Sequence, residues 1–113
     1  MIPTYRAKRI ENDKYTEGYL FKIWDKYYLQ WGTTNHVPNQ IEVDPTTLSI
    51  NFENMLDKNG KKIFASLSED GVGGDILYRG ENTNPFPLSA PWEQSIAWEY
   101  DEWEDFEVIG VHS

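Results

Sequence analysis

The 113-residue sequence contains no cysteine and only two histidines, His36 and His112. Without cysteine the chain has no disulfide, no thiolate-bound zinc, no iron–sulfur cluster and no thiol nucleophile. Two isolated histidines supply little for a metal site or a catalytic triad. The sequence therefore predicts no catalytic residue, no metal site and no cofactor, and an enzyme is the least supported class of function.

Long apolar runs are absent as well. No stretch reaches 18 apolar residues, and no basic segment followed by an apolar one lies near Met1. The sequence thus predicts neither a membrane span nor a signal peptide. We expect no membrane partner and a cytoplasmic location.

The whole chain carries a net charge of −9, and basic residues are nearly missing from one part of it. Residues 1–62, the N-terminal half, hold nine Lys or Arg and eight Asp or Glu, a net charge of +1. Residues 63–113, the acidic half, hold Arg79 against eleven acids, a net charge of −10. Such a field repels nucleic acid and attracts basic surfaces.

The one place that would suit nucleic acid is a basic cluster in the N-terminal half, formed by Arg6, Lys8, Arg9 and Lys14. Four charges are few for a phosphate backbone. A solvated edge strand protected by Lys and Arg is the favoured explanation of the cluster. Nucleic acid is therefore not the expected partner, and weak single-strand binding is a third hypothesis behind the two given below.

The chain does contain aromatic and β-branched residues in short alternating runs. Gly, Pro, Asn and Asp interrupt these runs about every ten residues. Helical periodicity is weak, so this pattern predicts a mainly β, single small domain over residues 1–113. Strands are predicted at 5–10, 16–24, 27–31, 41–43, 49–52, 61–67, 75–79, 95–100 and 106–111.

The connections are predicted from their turn residues. Asp44 and Pro45 suit the cap and first position of a short helical turn, and Asn59-Gly60 suits a two-residue type I′ hairpin turn. Residues 25–26 are a further turn, residues 68–74 a Gly-rich loop, and residues 32–40 and 80–91 irregular loops. A short helix over 92–97 competes with the strand at 95–100.

Three stretches then occur in one order along the chain. They are Tyr5-Arg6-Ala7-Lys8, then Val43-Asp44-Pro45-Thr46-Thr47-Leu48 followed by Asp57-Lys58-Asn59-Gly60-Lys61-Lys62-Ile63-Phe64, and finally Glu107-Val108-Ile109-Gly110. This ordered set resembles the YopX family of bacteriophage and prophage proteins. The chain departs from the family in a slightly longer segment at 49–55 and in the extra residues 65–73, so the resemblance is to a divergent member.

The YopX resemblance implies an SH3-like β-barrel roll, a phage or prophage gene, a bacterial host cell, a homo-oligomer and no established biochemical activity. It carries over no catalytic residue. With it, the expected fold is an SH3-like barrel with a long irregular loop and at most short helical turns.

Tryptophans in the acidic half are the candidate binding residues. Trp92, Trp98 and Trp103 are each followed by Glu, at spacings of six and five that match neither one helical face nor one strand parity. One interpretation places Trp98 and Tyr100 on a half-buried strand, alternating with Glu99 and Asp101, while Trp103 closes the hairpin. The other exposes some of the three tryptophans as anchors for a protein partner, since Trp and Tyr dominate binding hot spots. The candidate interface is Trp92, Trp98, Glu99, Asp101, Trp103 and Glu104.

The predicted function is accordingly a non-enzymatic protein-binding or self-assembly module. Its partner is a second copy of the chain or a host protein with a basic surface. The alternative is an acidic mimic of DNA that occupies a host DNA-binding protein, which the charge of the acidic half favours.

Overall fold

Nine strands and two short 3₁₀ turns form the part of the chain that the structure describes, a computed structural model covering residues 3–52, 55–80, 83–89 and 103–113. The strands are β1 Thr4–Lys8, β2 Tyr15–Ile23, β3 Lys26–Thr34, β4 Val37–Val43, β5 Ser49–Asn51, β6 Ala65–Ser66, β7 Asp75–Tyr78, β8 Phe86–Pro87 and β9 Glu107–Val111. The 3₁₀ turns are Pro45–Thr47 and Trp103–Asp105. The prediction of a mainly β domain with only short helical turns is confirmed.

The strands form two antiparallel sheets. The large sheet has the order β4-β3-β2-β1-β5-β6, and the small sheet has the order β8-β7-β9. Leu20, Leu29 and Ile41 lie across from one another on β2, β3 and β4. Leu29 is fully buried with Ala7, Val43 and Leu48, so this face of the large sheet covers one core.

The large sheet curls at the end of β1. Arg9 bridges Val43 of β4, the Ile10 amide donates to the Glu42 carbonyl at 3.1 Å, and the Asp44 amide donates to the Lys8 carbonyl at 2.8 Å. The contact between this end of the sheet and β4 is limited to a short bridge, and the barrel is not closed.

Residues 32–40 correct the prediction of an irregular loop, because most of them belong to a hairpin. β3 continues to Thr34 and β4 begins at Val37, with Asn35 and His36 as the two turn residues. Both have positive φ, 53° and 67°, as a type I′ turn requires. Asn adopts positive φ readily, and His does so less often. Asn35-His36 here forms the kind of turn that Asn-Gly commonly forms.

The turn at Asp57 is confirmed in place but differs in type. Only Gly60 has positive φ, at 79°, while the Gly60 amide donates to the Asp57 carbonyl and the Asp57 amide to the Lys61 carbonyl. These bonds describe a three-residue loop with a glycine bulge rather than the two-residue type I′ turn. The Asp57 carboxylate fixes it, accepting the amides of Asn59 and Lys61 at 2.8 Å each.

The short helical turn is confirmed as predicted. Asp44 caps Pro45–Thr47 by accepting the Thr46 amide at 3.0 Å, and Pro45 occupies the first position. Gly73 of the Gly-rich loop approaches this turn so closely that an added Cβ would lie 2.0 Å from the Thr47 carbonyl oxygen. The loop and the turn therefore fit together only with glycine at this position.

A buried ion pair joins the two sheets. The Arg6 guanidinium on β1 donates to the Asp75 carboxylate on β7 at 2.7 Å and to the Gly73 carbonyl at 2.9 Å. Asp75 is fully buried and also accepts the Phe64 amide at 2.8 Å. A second core lies beside this pair, formed by Ile50, Met55, Ile63, Ala65, Leu77, Leu88, Trp103 and Phe106.

The last part of the chain confirms the strand predicted at 106–111, which is β9. The loop predicted over 80–91 contains the two-residue strand β8 where it is described. The strand predicted at 95–100 and the competing helix at 92–97 lie outside the described residues. Within the described ranges, no helix is long and apolar enough to cross a membrane.

Candidate protein-binding surface

The predicted interface in the acidic half is divided by the structure. Trp103 is only 7% exposed and belongs to the second core, so its ring is not available to a partner, whereas the neighbouring Glu104 is exposed. Trp92, Trp98, Glu99 and Asp101 lie outside the described residues, and their role stays a prediction. Among the described residues, the most exposed tryptophan is Trp24, which lies in the N-terminal half.

Trp24 stands at the tip of the β2–β3 hairpin with 91% of its surface exposed. Ile23 pairs with Lys26, which leaves Trp24 and Asp25 as a two-residue loop. Trp24 has a φ of 58°, a value normally left to glycine at the first position of a type II′ turn. A bulky residue at positive φ is an outlier that costs roughly 1–3 kcal/mol.

The outer face of the same hairpin is apolar and aromatic. Side chains alternate along a strand, so Tyr19, Phe21 and Ile23 point away from the core that Leu20 contacts. Tyr19 is 59% exposed and Ile23 45% exposed. Phe21 lies opposite Tyr28, and their rings stack with centroids 5.3 Å apart. We call Tyr19, Phe21, Ile23, Trp24 and Tyr28 the hairpin surface.

A pocket of about 310 Å³ lies on the other sheet, lined by Glu69, Asp70, Gly71, Phe86, Pro87 and Leu88. We call it the acidic pocket. Its shape depends on Asp70, which accepts the Val72 amide at 3.0 Å and the Ser68 hydroxyl at 2.7 Å. These two hydrogen bonds lower the pKa of Asp70, so the pocket stays negatively charged near neutral pH.

The basic cluster of the N-terminal half does not form one patch. Arg6 is buried against Asp75, the Arg9 guanidinium lies 5.4 Å from the centre of the Trp31 ring, and the Lys8 ammonium lies 5.7 Å from that of Tyr15. Arg6 is therefore withdrawn from the surface, whereas Lys8 and Arg9 keep their charges beside aromatic rings. Among the described residues, no three His, Asp or Glu side chains are grouped closely enough to hold a metal ion.

Trp24 is the exposed aromatic residue that the sequence does not identify. The sequence predicts a strand that ends at residue 24 and a turn at 25–26, and so treats Trp24 as an ordinary strand residue. Strand parity does not locate the turn, because a loop at 24–25 and a loop at 25–26 both place Tyr28 on the face of Tyr19, Phe21 and Ile23. Comparisons with protein-family models, with curated proteins and with solved structures give no match. The function is therefore inferred from the surfaces described above.

Proposed function

We propose that this protein is a non-enzymatic self-assembly module that associates through the hairpin surface. The observation that carries the proposal is Trp24, which is 91% exposed and has a φ of 58°. A strained residue that packs on almost nothing does not stabilise the isolated chain. A Trp presented at the tip of a hairpin is instead well suited to be the anchor of a protein interface.

The adjoining face extends this anchor. Tyr19 and Ile23 are exposed beside the stacked Phe21 and Tyr28 rings, so a partner that covers Trp24 can also cover apolar area on β2 and β3. Aromatic residues at the centre of such a surface contribute most of the binding free energy, because they bury large areas at little cost in conformational entropy.

Pairing along the free edge of β4 is a weaker route to association. The Glu42 carbonyl and the Asp44 amide point toward β1, and alternation places the backbone groups of Gln40 and Pro38 on the same outer side. Pro38 has no amide hydrogen to donate, and proline on an edge strand blocks sheet extension. Association through side chains of the hairpin surface is therefore favoured over strand addition.

We also propose that the chain is a member of the YopX family, with the phage origin, bacterial host and SH3-like roll that the family implies. Support comes from the roles of the resembling residues, which connect distant parts of the fold. Arg6 of the first stretch pairs with Asp75, and Asp57 of the second accepts the amide of Val108 in the third at 3.0 Å. The bridge from β1 to β4 is the curling that a roll needs.

The acidic DNA mimic is the second candidate, and exposed carboxylates favour it. Glu69, Asp70, Glu104 and Asp105 are exposed, whereas Asp75 is buried in its ion pair with Arg6. Such a mimic binds basic host proteins with an affinity that falls steeply as salt rises. Titrating a defined basic DNA-binding protein at two salt concentrations distinguishes it from self-assembly.

Light scattering on purified protein tests self-assembly directly. We expect the wild type to exceed the monomer mass and Trp24→Ala to remain monomeric with an unchanged fold. Trp31→Ala is the matched control, because it removes a second, 42% exposed indole from the same hairpin. A wild type that stays monomeric at millimolar concentration, or equal losses in both variants, would overturn the proposal.

A further inference from the structure

The hairpin tip and the acidic pocket are complementary in shape and polarity. The pocket offers the apolar side chains of Phe86, Pro87 and Leu88. Its volume of about 310 Å³ lies at the lower end of the range of roughly 300–1,000 Å³ for sites that hold small ligands. It has room for one indole ring, the group that Trp24 presents at the end of a narrow two-residue loop.

The charges around the two features are complementary as well. Lys22 and Lys26 flank the loop of Trp24 and Asp25, which gives the tip a net positive charge. Glu69 and Asp70 give the pocket wall two negative charges. Tip and pocket also lie in different halves of the chain, whose net charges are +1 and −10. Contact between unlike halves of two copies is therefore favoured over contact between two acidic halves.

We propose that Trp24 of one copy inserts into the acidic pocket of a second copy, with Lys22 and Lys26 facing Glu69 and Asp70. This inference rests on the proposed self-assembly and names the receiving surface. The contact is head-to-tail, because each copy then uses its tip on one neighbour and its pocket on the other. Head-to-tail contacts build rings where the rotation closes and filaments where it does not.

Two variants, each lacking one side of the contact, test this arrangement. Trp24→Ala removes the tip and keeps the pocket. Glu69→Lys combined with Phe86→Ala changes the pocket and keeps the tip. We expect each variant alone to be monomeric, and an equimolar mixture to form a species of twice the monomer mass. No species larger than this dimer forms, because its unoccupied tip and its unoccupied pocket are the two altered ones.

The outcomes separate this inference from the proposed function. If the pocket variant associates like the wild type while Trp24→Ala does not, the hairpin surface binds its own copy tip-to-tip and the pocket is not the receptor. If both variants are monomeric and their mixture is too, the head-to-tail contact is wrong. If Trp24→Ala still associates, the proposed function itself fails.

Folding of the pocket variant is checked by its thermal unfolding transition, because Phe86 packs edge-on against the core residue Phe106 at 6.0 Å. Should the double variant unfold, Glu69→Lys alone replaces it. Glu69 is exposed, so this change reverses a charge at the pocket without removing core contacts. Weaker association of Glu69→Lys, restored by mixing with Lys26→Glu, supports the contact, and unchanged association contradicts it.

Discussion

Asp57 shows how much of a local structure a single carboxylate determines. It accepts the amides of Asn59 and Lys61 with one oxygen and the amide of Val108 with the other. Burial acts to raise the pKa of Asp57, but these three hydrogen bonds outweigh burial and lower it. The ionised carboxylate therefore fixes the turn and attaches it to β9.

We predict that Asp57→Asn lowers the free energy of unfolding by about 1.5–3 kcal/mol at pH 7, the usual contribution of hydrogen bonds to a charged group. The folded pKa is depressed, so the stabilisation is fully present above the unfolded value of about 3.9 and is lost as pH falls through the folded pKa. Urea denaturation at pH 7 and at pH 3 measures the difference between variant and wild type at each pH.

The exposed Glu104→Gln is the control for this pH experiment, since it removes a carboxylate that lies outside the turn. Its stability is expected to follow the wild type at both pH values. An Asp57→Asn variant that loses as much stability at pH 3 as at pH 7 would show that geometry, and not ionisation, is what the carboxylate contributes.

Among the elements of the fold, the sequence was most informative where turn chemistry and alternation agree. The cap by Asp44 with Pro45 and the strands around 5–10, 16–24, 75–79 and 106–111 were predictable for this reason. The hairpin at 32–40 was not, because residues 37, 38 and 40 of β4 are exposed and its turn uses Asn35-His36 in place of Asn-Gly.

The candidate site was harder to predict than the strands. Exposure of a tryptophan depends on tertiary packing, which buries Trp103 in the second core and leaves Trp24 on the surface. The acidic pocket brings residues 69–71 together with 86–88, a separation that no local pattern reveals. Both features therefore required the structure.

The β2–β3 hairpin carries a prediction that separates binding from folding. Trp24→Gly removes the strain of positive φ, roughly 1–3 kcal/mol, and adds unfolded-state entropy worth about 0.4–1 kcal/mol. We expect the free energy of unfolding to rise by up to about 2.5 kcal/mol while self-association is lost. Denaturant unfolding together with light scattering measures both quantities on one variant.

His36→Gly is the matched control, because it relieves positive φ at the neighbouring hairpin turn, away from the hairpin surface. This variant is expected to gain stability and to keep its association. A Trp24→Gly variant that loses stability would show that the indole contributes to the fold, which would weaken its assignment as an interface anchor.

The contact between the Gly-rich loop and the 3₁₀ turn supports a second prediction at this scale. Gly73→Ala places a Cβ 2.0 Å from the Thr47 carbonyl oxygen, in addition to the strain of a φ of 85°. Gly60→Ala has a similar φ of 79° but meets no atom within 4 Å. In both variants the strain of positive φ costs about 1–2 kcal/mol. Gly73→Ala is expected to be more destabilising than Gly60→Ala by about a further 1 kcal/mol, because of its steric clash.

Thermal and urea unfolding of the two alanine variants provide the comparison. Equal losses of stability would show that the loop moves away from the 3₁₀ turn at little cost. In that case Gly73 would be required for its backbone conformation alone.

At the scale of the whole molecule, charge and length act together. Each copy carries a net charge of −9 and is 48 Å long. At an ionic strength of about 0.01 M electrostatic forces extend over roughly 30 Å, whereas at 0.1 M they extend over about 10 Å. At low salt, the repulsion between whole copies therefore opposes the attraction between tip and pocket.

We predict that self-association strengthens several-fold as salt rises from about 10 mM to about 150 mM, because screening removes the long-range repulsion and leaves the contact between Trp24 and the apolar pocket. Sedimentation or light scattering across this range measures it, with Trp24→Ala as the non-associating control. A DNA mimic bound to a basic protein behaves in the opposite way, since screening weakens attraction between unlike charges. A self-association that falls steadily over the same range would instead show that ionic pairing of Lys22 and Lys26 with Glu69 and Asp70, and not burial of Trp24, is the dominant force.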